Sequence, residues 1–222
     1  MSSSRFKAVI FDLDGVITDT AHYHFLAWKR LADNLEQPFD AAFNEHLKGI
    51  DRMGSLDLIL GERAGHYTAA HKLALADEKN LHYRKLIETM SAEDLLPGAL
   101  DALAAVRAAG LKIGLASVSK NAFAVLERLG ITERFDYVVD AALVARGKPD
   151  PEIFLTAARE LGVAPHDCLG VEDAVAGVAA IKAAGMFALG VGLAEVLRQA
   201  DLVISGLDRF DLNAVSMNAV TQ

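Results

Sequence analysis

Apolar residues along this chain follow two rhythms. Short continuous runs at Ala8–Phe11, Leu111–Ala116, Tyr137–Val139, Cys168–Val171, Phe187–Val191 and Leu202–Ile204 read as strands buried on both faces. Between the later runs, apolar positions recur at helical spacing over Ala99–Ala109, Ala122–Leu129, Ile153–Leu161 and Ala174–Ala184. Strands alternating with helices of this length imply right-handed crossovers and a parallel sheet covered on both faces. The fold class is therefore α/β, a Rossmann-like parallel sheet.

Residues 20–95 break that alternation. Their pattern is helical throughout, as in Phe25, Trp28 and Leu31 or Leu73, Leu81 and Ile87, and it holds no strand-like run. Breaks at Gln37-Pro38, Lys48-Gly49 and Ala64-Gly65 divide it into about four helices. The expected organisation is a catalytic core of residues 1–19 and 96–222 with an all-helical cap, residues 20–95, inserted after the first strand.

Composition narrows the picture. Hydrophobic residues make up 52% of the 222, enough for a sizeable core, and the net charge of −8 argues against a nucleic-acid binder. The single cysteine, Cys168, excludes an intrachain disulfide and sits in an apolar run, where an inert thiol is expected. No segment has the length of a secretory signal core or a membrane span, so a cytoplasmic protein without membrane contact is expected. A monomer is expected because no exposed apolar stripe stands out.

Ligands of open parallel sheets bind beyond the carboxyl ends of the strands, so the residues there carry the candidate chemistry. They are Asp12 and Asp14-Gly15 after the first strand, Ser117 to Asn121 after the second, Lys148 after the third and Glu172-Asp173 after the fourth. Four carboxylates at adjacent strand ends repel one another unless a cation intervenes. A hard divalent ion with oxygen ligands resolves the conflict, and Mg²⁺ together with a substrate phosphate is the common case. Local alternatives exist: Asp173 as a helix cap, Asp14-Gly15 as a turn, Asp150 as an N-cap with Pro151 at the first helical position, and Ser119 or Asn121 as caps. None of them accounts for Lys148. His22 and His24, two apart on a helix, face nearly opposite ways and do not make a metal pair.

At these residues the chain resembles the haloacid dehalogenase-like phosphotransferases, with Asp12, Asp14-Gly15-Val16, Ser117, Lys148-Pro149 and Glu172-Asp173 as the four motifs in order. That resemblance implies an aspartyl phosphate on Asp12 and Asp14 as general acid/base. It also implies Mg²⁺ held by Asp12, the Asp14 carbonyl and Asp173 with Glu172 beside them, and a phosphoryl group steadied by Ser117 and Lys148. Phe11–Phe25, Phe43–Arg52 and Leu115–Asn121 are further similar to the β-phosphoglucomutase family. This implies that Arg52, Ser119, Lys120 and Asn121 grip the second phosphate of a sugar bisphosphate. Lys48 and Gly49 would shape the sugar pocket, with Val118 close to the sugar. His24 would help position Asp14 near a hinge at Asp19-Thr20 and Leu96-Pro97, and Lys79 would face the site. Met53-Gly54 depart from the family's usual acidic residue, which is expected to loosen the following helix. The implied reaction exchanges β-D-glucose 1-phosphate and glucose 6-phosphate. Alternatives are a sugar-phosphate phosphatase, a mutase for another hexose or disaccharide 1-phosphate, and a catalytically silent sensor.

Overall fold

The computed structural model describes residues 5–47 and 50–220. Six strands form one parallel sheet: β1 (Ala8–Phe11), β2 (Lys112–Leu115), β3 (Tyr137–Val138), β4 (Cys168–Glu172), β5 (Phe187–Val191) and β6 (Leu202–Ile204). Their order is β3-β2-β1-β4-β5-β6, so β1 lies between β2 and β4 and the order reverses beside it. The register pairs Phe11 with Leu115 on one side and with Val171 on the other. This alignment brings the ends of three strands to one level, where a ligand crevice forms.

Residues alternate between the two faces of the sheet. Val9, Phe11, Ile113 and Val171 pack toward α5 (Ala99–Ala108), α6 (Ala122–Leu129) and the terminal helix α9 (Leu212–Val220). Ala8, Ile10, Cys168 and Ala188 pack toward α7 (Glu152–Leu161) and α8 (Val175–Ala183). The Cys168 thiol is buried, and burial pushes its pKa up to about 12. The α/β class is as the hydrophobic rhythm predicts, with α9 as an addition. Leu212, Val215 and Ala219 anchor it, and Asp211 starts it by accepting from the N–H groups of Asn213 and Ala214.

Between β1 and α5 the chain is helical: α1 (Ala21–Asn34), α2 (Ala41–Glu45), α3 (Arg52–Leu60) and α4 (Ala69–Leu86). Trp28, Leu31, Leu56, Leu60, Leu75 and Ala76 belong to an apolar cluster of their own, separate from the two against the sheet. Side-chain caps start three of the helices: Asp40 for α2, Asp51 for α3 and Thr68 for α4. Asp51 accepts from both Met53 and Gly54, so these two residues complete a closed helix start rather than loosening it. At α7, Pro151 occupies the cap position instead of the first helical one, while Asp150 accepts from the Glu152 N–H at 3.0 Å. Among the described residues no helix is long and apolar enough to cross a membrane.

Candidate active site

Asp12 follows β1 directly, its N–H bonded to the Val171 carbonyl of β4, so it projects from the middle of the sheet's carboxyl edge. Lys148 enters from the loop before α7. Its Nζ donates to Asp12 Oδ1 at 2.8 Å and to Glu172 Oε2 at 2.6 Å, and its side chain is 1% exposed. Burial alone would push this ammonium's pKa down, but Asp12 and Glu172 more than offset it and hold the value above the ordinary one. Glu172 goes the other way from a typical ion-paired acid. Burial and the nearby Asp12 raise it well above its usual range despite Lys148. One buried cation therefore serves too many carboxylates.

Carboxylate oxygens of Asp12, Glu172 and Asp173 lie within 4.8 Å of one another, an all-oxygen group able to hold a metal ion. Two glycines make room for it. Gly15 adopts φ +77°, and a Cβ there would overlap the Asp173 carboxylate, so only glycine lets the loop after Asp14 close against Asp173. A Cβ on Gly177 of α8 would likewise overlap the Glu172 carboxylate. Glu172 Oε1 also accepts from the Ala174 N–H at 3.1 Å, which leaves Ala174 in the cap position of α8.

The Asp14 carboxylate lies outside that acidic group and accepts a hydrogen bond from the Thr20 hydroxyl. It is partly exposed and lines the cavity. Its pKa is raised to about 7, by burial first and then by Asp12 and Asp173, against the lowering effect of Thr20.

The cavity, about 320 Å³, lies where the helical segment faces the strand ends. From the sheet side it is lined by Asp12, Asp14, Asp173 and the loop Val118–Asn121, and from the helical segment by His24, Arg52 and Lys79. Thr20, Ser117, Lys148 and Glu172 are buried within the same region. Ser117 Oγ accepts from the Ser119 N–H at 3.1 Å, shaping the loop toward α6. Lys48 and Gly49 lie outside the described residues.

On the helical side, Lys79 Nζ lies within hydrogen-bond distance of His24 Nδ1, at 2.7 Å. Burial, then Lys79 and Arg52, keep His24 well below its ordinary pKa and neutral. Lys79 is itself pushed down to about 7 by burial and by Arg52. The His24 ring stacks on Tyr83 at 4.1 Å, and Lys79 Nζ lies 4.5 Å from the Trp28 ring centre. Trp28 thus belongs to the helical core, as expected, while also bordering the cavity. Asn44, Ser55, Leu47 and Ile50 line it too, without having been singled out in the sequence. Ser55, at helical spacing from Ile59 on the buried face of α3, carried a signal; Asn44 carried none. Asn121 holds the N-cap position of α6 but makes no capping bond; its Nδ2 donates to Asn80 Oδ1 at 2.8 Å, and Arg52 Nη2 donates to the same oxygen at 2.9 Å.

A family model described as haloacid dehalogenase-like hydrolase matches residues 6–185. The chain is 54% identical over 200 residues to the β-phosphoglucomutase of Bacillus subtilis, covering 89% of this chain and 88% of that one. A crystal structure of β-phosphoglucomutase from Clostridium difficile superposes with a TM-score of 0.95 at 45% identity, over 97% of this chain and 98% of that one. A phosphorylated carbohydrates phosphatase from Thermotoga maritima is 31% identical over 183 residues, 81% and 82% of the two chains. On these similarities the chain belongs to the haloacid dehalogenase-like hydrolases and, within them, to the β-phosphoglucomutase family.

Proposed function

We propose that this protein is a phosphomutase that interconverts β-D-glucose 1-phosphate and glucose 6-phosphate through an aspartyl phosphate and a β-glucose 1,6-bisphosphate intermediate. One observation carries the reading: a single cavity is bordered by the acidic group around Asp12 and also by Arg52, Lys120 and Asn121, so it offers recognition for two phosphates. The similarity to β-phosphoglucomutases over nearly the whole chain supports it.

In this reading residues 1–19 and 96–222 are the catalytic core and residues 20–95 a cap over it. A carboxylate oxygen of Asp12 attacks phosphorus in line, and the bond from phosphorus to the sugar oxygen breaks. Asp14 gives its proton to the departing oxygen and recovers one from the next hydroxyl to be phosphorylated. A group with a pKa of about 7 does both near neutrality. Thr20 holds Asp14 in place, and Ser117 and Lys148 steady the transferring phosphoryl oxygens. Asp12, Glu172 and Asp173, with the Asp14 carbonyl, would hold Mg²⁺, whose charge offsets the crowded carboxylates and the phosphoryl group when bound. At the far end Arg52, Ser119, Lys120 and Asn121 grip the second phosphate, Val118 borders the sugar, and His24 with Lys79 backs Asp14. Anchoring the remote phosphate favours a closed, dry site in which a sugar hydroxyl replaces water as acceptor.

The test measures glucose 6-phosphate formation from β-D-glucose 1-phosphate with Mg²⁺, with and without the bisphosphate, alongside phosphate release. Interconversion should exceed phosphate release by at least about tenfold, a barrier difference of about 1.4 kcal/mol. Phosphate release with negligible interconversion would point instead to a sugar-phosphate phosphatase, the activity carried by the Thermotoga maritima relative's name.

A further inference from the structure

Asn121 sits where an asparagine ordinarily caps its own helix, yet it directs its side chain elsewhere. A capping bond contributes about 1 kcal/mol, and α6 goes without it. The Asn121 amide instead reaches α4 and meets Asn80, which also receives Arg52 from α3. One carbonyl oxygen therefore ties together three segments distant in sequence. The atom identities are fixed by chemistry. A guanidinium only donates, so the Asn80 atom 2.9 Å from Arg52 must be the oxygen, and Asn121 must then present its NH₂ to it.

Arg52 and Asn121 both border the cavity, whereas Asn80 does not. It stands behind its two donors. The neutrality of the Asn80 amide matters as much as its position. An aspartate there would accept the same two hydrogen bonds but cancel the Arg52 charge; the carboxylate that does pair with that guanidinium, Asp77, stays 3.8 Å away and is 65% exposed. An amide orients a cation without neutralising it.

We propose that Asn80 is a positioning residue for recognition of the second phosphate: its side-chain carbonyl aims Arg52 and Asn121 into the cavity across the boundary between helical segment and sheet, while leaving Arg52's charge for the incoming anion. The inference rests on the assignment of Arg52 and Asn121 to the non-transferring phosphate. It makes Asn80 the element that couples selection of doubly phosphorylated ligands to apposition of the two halves of the site.

The experiment compares two phosphoryl donors to the full-length, Mg²⁺-loaded enzyme. One is β-glucose 1,6-bisphosphate; the other is acetyl phosphate, which carries no second phosphate. Rates are read both as sugar conversion and as phosphate release for wild type, Asn80→Asp and Asn80→Ala. Asn80→Asp should lower kcat/KM for the bisphosphate by about tenfold more than for acetyl phosphate, the effect lying in KM, because the carboxylate neutralises the Arg52 charge that would otherwise meet the second phosphate. Asn80→Ala should show the same selectivity with a smaller factor. Equal losses on both donors would make Asn80 a purely structural residue and overturn the proposal. So would unchanged parameters, or a wild-type enzyme with no preference for the bisphosphate. Absence of sugar interconversion in the wild type counts against the mutase function instead, because Asn80 is judged on the ratio between donors.

Discussion

Asp14 illustrates how one carboxyl group inherits its behaviour from its surroundings. Burial and the charges of Asp12 and Asp173 raise its pKa to about 7, whereas an unfolded chain would release that proton near the usual value of about 4. The folded protein therefore binds more protons than the unfolded one between those values, and stability without metal falls as pH rises through that window. Replacing the Asp14 carboxyl with an amide removes Asp14's share of that dependence, leaving that of Glu172. The melting temperature of Asp14→Asn minus that of wild type, both in chelator, should be small at pH 5 and clearly positive at pH 8. A flat or reversed difference between those two pH values would contradict the raised pKa. Lys148 shows the complementary case, a buried cation whose two partners keep it charged.

At the scale of elements, the approach of α8 to the end of β4 sets the acidic group. Gly177 is the residue of α8 that faces the Glu172 carboxylate, and any side chain there would push Glu172 away from Lys148. Gly177→Ala should cost about 1–3 kcal/mol through overpacking in urea unfolding. It should also weaken Mg²⁺ affinity by roughly tenfold or more, measured by titration calorimetry, because Glu172 is a buried member of the acidic group. Unaltered affinity would remove Glu172 from the metal site. The strand-end chemistry was legible in the sequence for a physical reason. Parallel strands announce themselves as apolar runs, and whatever polar residues follow them must share one edge. Asp12, Lys148, Glu172 and Asp173 are close together on that account. Contacts such as Arg52 to Asn80 and Lys79 to His24 depend on how the helices pack on one another, and Thr20 to Asp14 on how the loop after β1 folds, which local pattern does not encode. The dual placement of Trp28, in a core cluster and at the cavity, was illegible for the same reason. Helix α9 is not marked out by the pattern because exposed Met217 places an apolar residue on its outer face as well, blurring the stripe of Leu212, Val215 and Ala219.

For the molecule as a whole, the two passages between sheet and helices matter most. Thr18 is fully buried, bridges Leu95 in antiparallel fashion and donates its hydroxyl to the Asp94 carbonyl at 2.7 Å; Leu96 N–H bonds to the Ile17 carbonyl at 2.9 Å. Outgoing and returning chain are thereby stitched side by side just before the Asp19-Thr20 and Leu96-Pro97 segments. Thr18→Val keeps the shape but strands the Asp94 carbonyl. It should cost about 1–3 kcal/mol in denaturant unfolding. A variant as stable as wild type would show that the stitch carries no weight.

That rung between residues 18 and 95 has a topological corollary. Everything threaded through it leaves and re-enters at one point, so a tight turn joining the two residues would excise the helical bundle without pulling on a single strand. Such a miniature should fold only if the sheet-facing core can do without Ala27, Tyr83, Ile87 and Met90, which come from the excised stretch. Failure to fold would mean that bundle and sheet are one inseparable body.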